Sequence, residues 1–139
     1  MIIDINGAPR HQSLQLLHHC WLEKQGIRAY PARKDISPVD LKTILTSVFI
    51  MDVLDNGTDF RSRLIGTEVT EGMNGNATGT LLSTWRQDEV RQQSFDIFTT
   101  LLESGKPVRT YRDKLPIVER DYLSTESLCC PLSSDGVNI

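Results

Sequence analysis

The stretch Asp55-Asn56-Gly57-Thr58-Asp59 lies between two strand-like runs and constrains the fold more tightly than any other. Asn and Gly reach positive φ at low cost, so an Asn-Gly pair between such runs dictates a reversal between antiparallel strands. The run before it, Ser47 to Leu54, holds Val48-Phe49-Ile50-Met51 and Val53-Leu54. Its β-branched and aromatic content favours a strand over a helix. The run after it, Phe60 to Ile65, alternates. Phe60, Ser62 and Leu64 fall on one face, and Arg61, Arg63 and Ile65 on the other. An isolated hairpin is barely stable in water, so the rest of the chain must supply further strands or a covering helix.

The flanking elements follow from periodicity and caps. Leu14, Leu17 and Trp21 form a helical stripe, with Ser13 as cap and Gly26 as terminator. Ser37-Pro38-Val39-Asp40 reads as a second helix start, ending near Leu45. Glu68 to Glu71 predicts one helical turn capped by Thr67, and Gly72 to Gly79 a glycine loop. A longer helix is expected from Trp85 or Arg86 to Ser104, with Val90, Ile97, Phe98, Leu101 and Leu102 on its apolar face. Gly105 and Pro107 stop it. Val108 to Lys114 and Leu123 to Leu132 read as strands, with a break or long hairpin loop from Leu115-Pro116 through Asp121, and Val137-Asn138-Ile139 opens another. The order predicts an α+β fold, an antiparallel sheet with helices on one face. It divides into an N-terminal helical extension, residues 1–46, and a sheet-bearing domain, residues 47–139.

A chain of 139 residues is the size of one domain. Its 39% hydrophobic and 24% charged residues argue against disorder. The formal net charge of -3 carries no domain-wide basic footprint, so no nucleic-acid partner is expected. No apolar run approaches the roughly 20 residues that span a bilayer. Met1-Ile2-Ile3-Asp4-Ile5 lacks the basic start of a secretory signal. Cys20 and the vicinal Cys129-Cys130 make no disulfide framework, which fits a reducing, cytoplasmic setting.

Several chemistries lack their residues. The glycine loop has neither the Gly-Lys-Ser/Thr ending of a P-loop nor the spacing of a dinucleotide fingerprint. No Cys-x-x-Cys spacing points to zinc, so no metal is expected. No nucleophile elbow or acid–base pair stands out, so no enzyme is expected. His18 and His19 are sequential and point about 100 degrees apart, unlike i, i+4 ligands. Arginines remain. Arg61 and Arg63 share a strand face, and Arg109 and Arg112 lie on a neighbouring strand. They form either a solvated face or a cationic rim.

Over roughly residues 10 to 139 the chain resembles a PAS domain, specifically the single-domain type common in alphaproteobacteria that carries an N-terminal helical extension. The residues carrying the likeness are Trp21-Leu22, Tyr30-Pro31-Ala32-Arg33-Lys34-Asp35-Ile36-Ser37-Pro38, and the hairpin Phe49 to Val53 with Asp59 to Thr67. Gly75, Thr78-Gly79, Glu126, Pro131-Leu132 and Ser133-Ser134-Asp135-Gly136 extend it. The string Phe60-Arg61-Ser62-Arg63-Leu64-Ile65-Gly66-Thr67 is the most specific piece. The resemblance implies a five-stranded antiparallel sheet with the long helix enclosing a small cavity; where the family continues the last strand, only Val137, Asn138 and Ile139 follow here, so that strand is either stunted or trimmed.

It also implies sensing, signal transduction or partner binding rather than catalysis. The pocket or its rim would include Met51, Phe60, Arg61, Arg63, Phe98, Leu101, Arg109 and Arg112. The arginines would hold a carboxylate or phosphate small-molecule ligand. If instead Met51, Phe60, Phe98 and Leu101 pack the cavity shut, the chain is a homodimeric scaffold without a ligand. Leu14, Leu17 and Trp21 pack either on the sheet or across a homodimer axis. Haem is disfavoured because Gly72 to Gly105 contains no histidine, and photoactive flavin because the region before the long helix contains no cysteine. No cofactor is expected. Output would pass through a regulatory protein partner, with no membrane contact.

Overall fold

The computed structural model describes residues 1–72, 77–113 and 124–139. Half of the expected glycine loop (73–76), the expected loop through Leu115 to Asp121 and the start of the following strand lie outside them. Five strands form two antiparallel sheets among the described residues: β1 (Ile2–Ile5), β4 (Val108–Arg112) and β5 (Thr125–Cys129) in the order β1-β4-β5, and β2 (Phe49–Leu54) with β3 (Asp59–Ile65). The helices are α1 (Gln12–Gln25), the short α2 (Thr67–Gly72) and α3 (Asp88–Ser104). The α+β class stands, with five strands split three and two rather than joined in one sheet.

The hairpin forms where the Asn-Gly pair requires it. Leu54 pairs with Asp59, so four residues make the turn, with positive φ at Asp55, Asn56 and Gly57. The expected alternation holds through Phe60 and Ser62, both buried, and then breaks. Ile50 pairs with Leu64 while Met51 pairs with Ser62, so Arg63 is an extra residue on β3. This bulge shifts the phase by one. Leu64, expected beside Phe60 and Ser62, is 41% exposed instead. Ile65 opposes Phe49 across the ladder.

β1 is unexpected. Its partner is β4, with Ile3 opposite Thr110 and Asp4 opposite Arg109, and the Asn6 N–H donates to Pro107 O at 2.7 Å. The N-terminal segment is therefore part of the sheet rather than only a helical extension to it. At the other end, Val137 to Ile139 form no strand. Asp135 draws that segment into a turn by accepting the N–H groups of Val137 and Asn138, each at 2.8 Å, and Ile139 packs into the core.

The expected helix after Ser37 is a run of turns. Ser37 Oγ accepts from Val39 N–H at 3.2 Å and Asp40 takes the Ser37 N–H, as a cap should. Beyond it the backbone bonds i to i−3, including Leu41 N–H to Pro38 O and Ile44 N–H to Leu41 O. That spacing aligns Leu41 and Ile44, which are buried together against Cys20 of α1.

Helices cover both faces of the three-stranded sheet, not one. α3 lies on the face presented by Val108, and Ile97, Leu101, Val108 and Cys129 form the main core with Ile3, Phe49, Phe98, Leu102 and Ile139 around it. α1 lies on the other face. Trp21, 3% exposed, donates its indole N–H to Pro131 O at 2.7 Å. The cap of α1 is His11 rather than Ser13: its Nδ1 accepts the Ser13 N–H at 3.2 Å. Gly105 ends α3 in the left-handed region as expected, its N–H bonded to Leu101 O.

Gly66 joins β3 to α2 against the backbone of the segment before β2. A Cβ placed there would meet Thr46 O at 2.3 Å and Leu45 O at 2.8 Å. Gly66→Ala is expected to cost about 1–3 kcal/mol, because backbone cannot yield as a side-chain tip can. A urea titration should show a lower midpoint with unchanged slope, whereas an unchanged midpoint would refute the close approach.

Candidate functional site

The side chains singled out from the sequence divide between three places. Phe60 of β3 meets Phe98 of α3, whereas Leu101, one turn on, packs with Val108 and Cys129. Phe60 is 1% exposed, and its ring lies 5.1 Å from Phe98 and 5.9 Å from Phe95. Phe98 also meets Phe49 at 6.4 Å. Met51 is half-buried on β2. This end of the interior is filled by aromatic rings.

Arg61 and Arg63 stand on the exposed side of β3. Arg63 Nε pairs with Asp52 of the adjacent strand at 3.1 Å, with half of its side chain in solvent. Neither turns toward α3, so the cationic rim does not include them. On α1, Leu17 packs against the Cys20, Leu41 and Ile44 cluster, and Leu14 is half-buried. Trp21 is committed to Pro131 within the chain. The apolar side chains that α1 leaves exposed are Leu16 and Leu22.

Arg109 and Arg112 belong to opposite faces of β4, which follows from their odd separation. Arg109 faces α1 and is matched. Its Nη1 lies 3.0 Å from Asp4 Oδ2, and its Nε donates to Glu126 of β5. Glu126 also accepts the backbone N–H groups of Arg10 at 3.0 Å and His11 at 2.8 Å, immediately before α1. Two carboxylates thus enclose one guanidinium, and one of them also anchors the N-terminal end of α1. Burial pushes the Glu126 carboxyl upward, but the Arg10 and His11 N–H groups and Arg109 outweigh it and hold it below the ordinary value. Arg109 is a structural clamp.

Arg112 faces α3. Val108 and Cys129 fix that face in the core, and Thr110 and Arg112 continue it along β4 at steps of two. Beside them on β5 are Thr125, opposite Arg112, and Ser127, whose hydroxyl bonds to that of Thr110. The Nε of Arg112 is buried and has no hydrogen-bond partner. Desolvation lowers the pKa of its guanidinium, while Cys129 pulls weakly the other way. One further buried side-chain atom is in the same condition: Oε1 of Gln93 on α3.

By residue count the two unpartnered groups lie about equally far along their elements from the reversal that joins α3 to β4. The chain reverses between α3 and β4, and Leu101 touches Val108 at the closed end. Gln93 is eight residues back from Leu101, about 12 Å along the helix axis. Arg112 is four residues beyond Val108, about 13 Å along the strand. Gln93 flanks the buried Ile97 and Leu101 stripe on the side away from Phe98. Arg112 belonged to the expected site. Gln93 did not, although a polar residue four before Ile97, on the edge of an apolar stripe, was a readable signal.

The interior thiols are chemically quiet. Burial pushes Cys129 up to about 12 and Cys130 higher still, so both are neutral thiols. Among the described residues no group of three or more His, Cys, Asp or Glu side chains is placed to hold a metal. No helix among them is long and apolar enough to cross a membrane.

Glu126→Gln should lower the melting temperature by several degrees, because it weakens both the Arg109 pair and the anchor of α1. The depressed carboxyl contributes stability that is complete above its unfolded value of 4.5 and is lost as pH falls through the folded value. The gap between wild type and variant should therefore be full at neutral pH and close below about pH 4.5. A gap independent of pH in denaturant titrations would show that the carboxylate charge is not responsible.

Comparison with curated proteins and with solved structures yields no match. A family model described as PAS domain matches residues 9–138, nearly the whole chain and every described element except β1. The hairpin, the long helix packed across antiparallel strands and this match agree: the chain belongs to the PAS domain family.

Proposed function

We propose that this PAS domain is a cytoplasmic sensory module of the bacterial single-domain type. It takes a small molecule between α3 and the inner face of β4 and β5, and reports its occupancy to a protein partner. Membership of the PAS family carries the general role of sensing and regulation. The observation that carries ligand binding is the pair of buried, unpartnered polar atoms, Gln93 Oε1 on α3 and Arg112 Nε on β4. Buried polar groups are nearly always satisfied, and each one left unmade costs roughly 1–3 kcal/mol. A ligand bridging α3 and β4 would recover that cost and couple helix position to occupancy. The module acts by binding, without catalysis and without haem or photoactive flavin.

A second reading has its own support. The Phe60, Phe95, Phe98 and Phe49 rings close the other half of the interior, as a ligand-free homodimeric scaffold would require. In that reading Leu16 and Leu22, exposed on α1, contribute to the contact between copies.

Native mass spectrometry of the chain purified from its own host separates the two. The sensory reading predicts a small-molecule adduct on the folded chain that is lost on denaturation. A bare dimer with no adduct, and no thermal stabilisation by any of a metabolite set, would support the scaffold and refute the sensory reading.

A further inference from the structure

We propose that a small monocarboxylate binds at the interface of α3 and β4, with the Arg112 guanidinium as its anion-holding group and the Gln93 amide bonded to a polar group elsewhere on the ligand. This rests on the ligand-binding reading above and names the ligand class. A guanidinium stays charged at any working pH, so a partly desolvated one favours an anion beside it. β4 itself supplies the comparison. Arg109, on the outer face, has two carboxylates within bonding distance. Arg112, on the inner face, has no described Asp or Glu against it, and its Nε is sealed from water.

The surroundings select the anion. The inner face of the three-stranded sheet presents Ile3, Ile5, Val108, Thr110, Thr125, Ser127 and Cys129 beside Arg112, so among the described residues of this face there is no second cation. Arg91 of α3 is occupied by Asp88 and the Trp85 carbonyl. One positive charge balances a monoanion and leaves a phosphate dianion uncompensated in a low-dielectric interface. The planar fork of a guanidinium matches the two oxygens of a carboxylate, and Nε is one prong of that fork. Gln93, on the helix, would recognise a hydroxyl, amine or carbonyl on the same molecule.

The test is differential scanning fluorimetry and calorimetric titration of the full chain. The probes are a panel of small monocarboxylates (acetate, propionate, lactate, glycolate, benzoate), the corresponding neutral amides, and inorganic phosphate. At about 10 mM, one or more carboxylates should raise the melting temperature, while its amide and phosphate should not. Arg112→Met should abolish the response and melt no lower than unliganded wild type, because it deletes an unmatched charge. Arg112→Lys keeps the charge without the fork and should weaken binding about tenfold. Arg61→Gln, on the exposed face of the hairpin, should respond as wild type does.

No response to any carboxylate overturns the proposal, as does a response that survives Arg112→Met. Equal responses to acid and amide overturn the ligand class but leave the sensory reading standing. A phosphate response lost in Arg112→Met likewise overturns only the monocarboxylate assignment.

Discussion

Phe98 and Leu101 are one turn apart on α3, and they reach different sheets. Phe98 stacks on Phe60 and Phe49 of the hairpin, while Leu101 packs with Val108 and Cys129 of the three-stranded sheet. Among the described residues no ladder joins the two sheets. The burial that holds them in register therefore runs through this helix. A helix packed on two sheets transmits displacement from one to the other, because packed interiors are stiff. Anything that moves α3 relative to β4 also moves it relative to β2 and β3. That is a mechanical basis for sensing in a fold of this family.

The opposite face of the sheet is organised by charge. Arg109 draws in Asp4 from β1 and Glu126 from β5, and Glu126 in turn holds the backbone that starts α1. Three segments remote in sequence converge on one guanidinium. Trp21 then fixes the helix through Pro131 at the end of β5. Among the described residues the sheet thus has a matched arginine toward α1 and, toward α3, an arginine whose Nε is unpartnered, with a second unpartnered atom on α3 itself. Identical side-chain chemistry at Arg109 and Arg112 leads to different roles because consecutive odd steps along a strand project to opposite sides.

Local chemistry was legible. The Asn-Gly reversal, the extent of α1, the apolar stripe of α3 and its glycine stop depend on residues within a few positions of one another. β1 was not legible, since Ile2-Ile3-Asp4-Ile5 is too short to declare a strand without β4 beside it. The bulge at Arg63 was invisible for the same reason: register is a property of the pair, and β3 alone alternates cleanly. The turns after Ser37 carry a helix cap but follow the burial of Leu41 and Ile44 under α1. At the site, the sequence placed Arg109 and Arg112 on one strand but could not say which was matched. Asp4 and Glu126 lie 105 and 17 residues from Arg109, beyond the reach of any local pattern. Gln93 stands at the edge of the apolar stripe of α3 in the sequence, but its lack of a partner is a property of the packed structure.

The central claim is that Arg112 faces α3 with no carboxylate of the described residues paired to it. Proton–nitrogen correlation spectra of the arginine Nε–H groups, with Arg112 assigned by substitution to lysine, test it most directly. The account predicts a water-protected Arg112 resonance that is free of a carboxylate partner in the unliganded chain and shifts when a small carboxylate binds. A resonance already displaced by a salt bridge, or one exchanging with solvent as freely as that of Arg61, would contradict it.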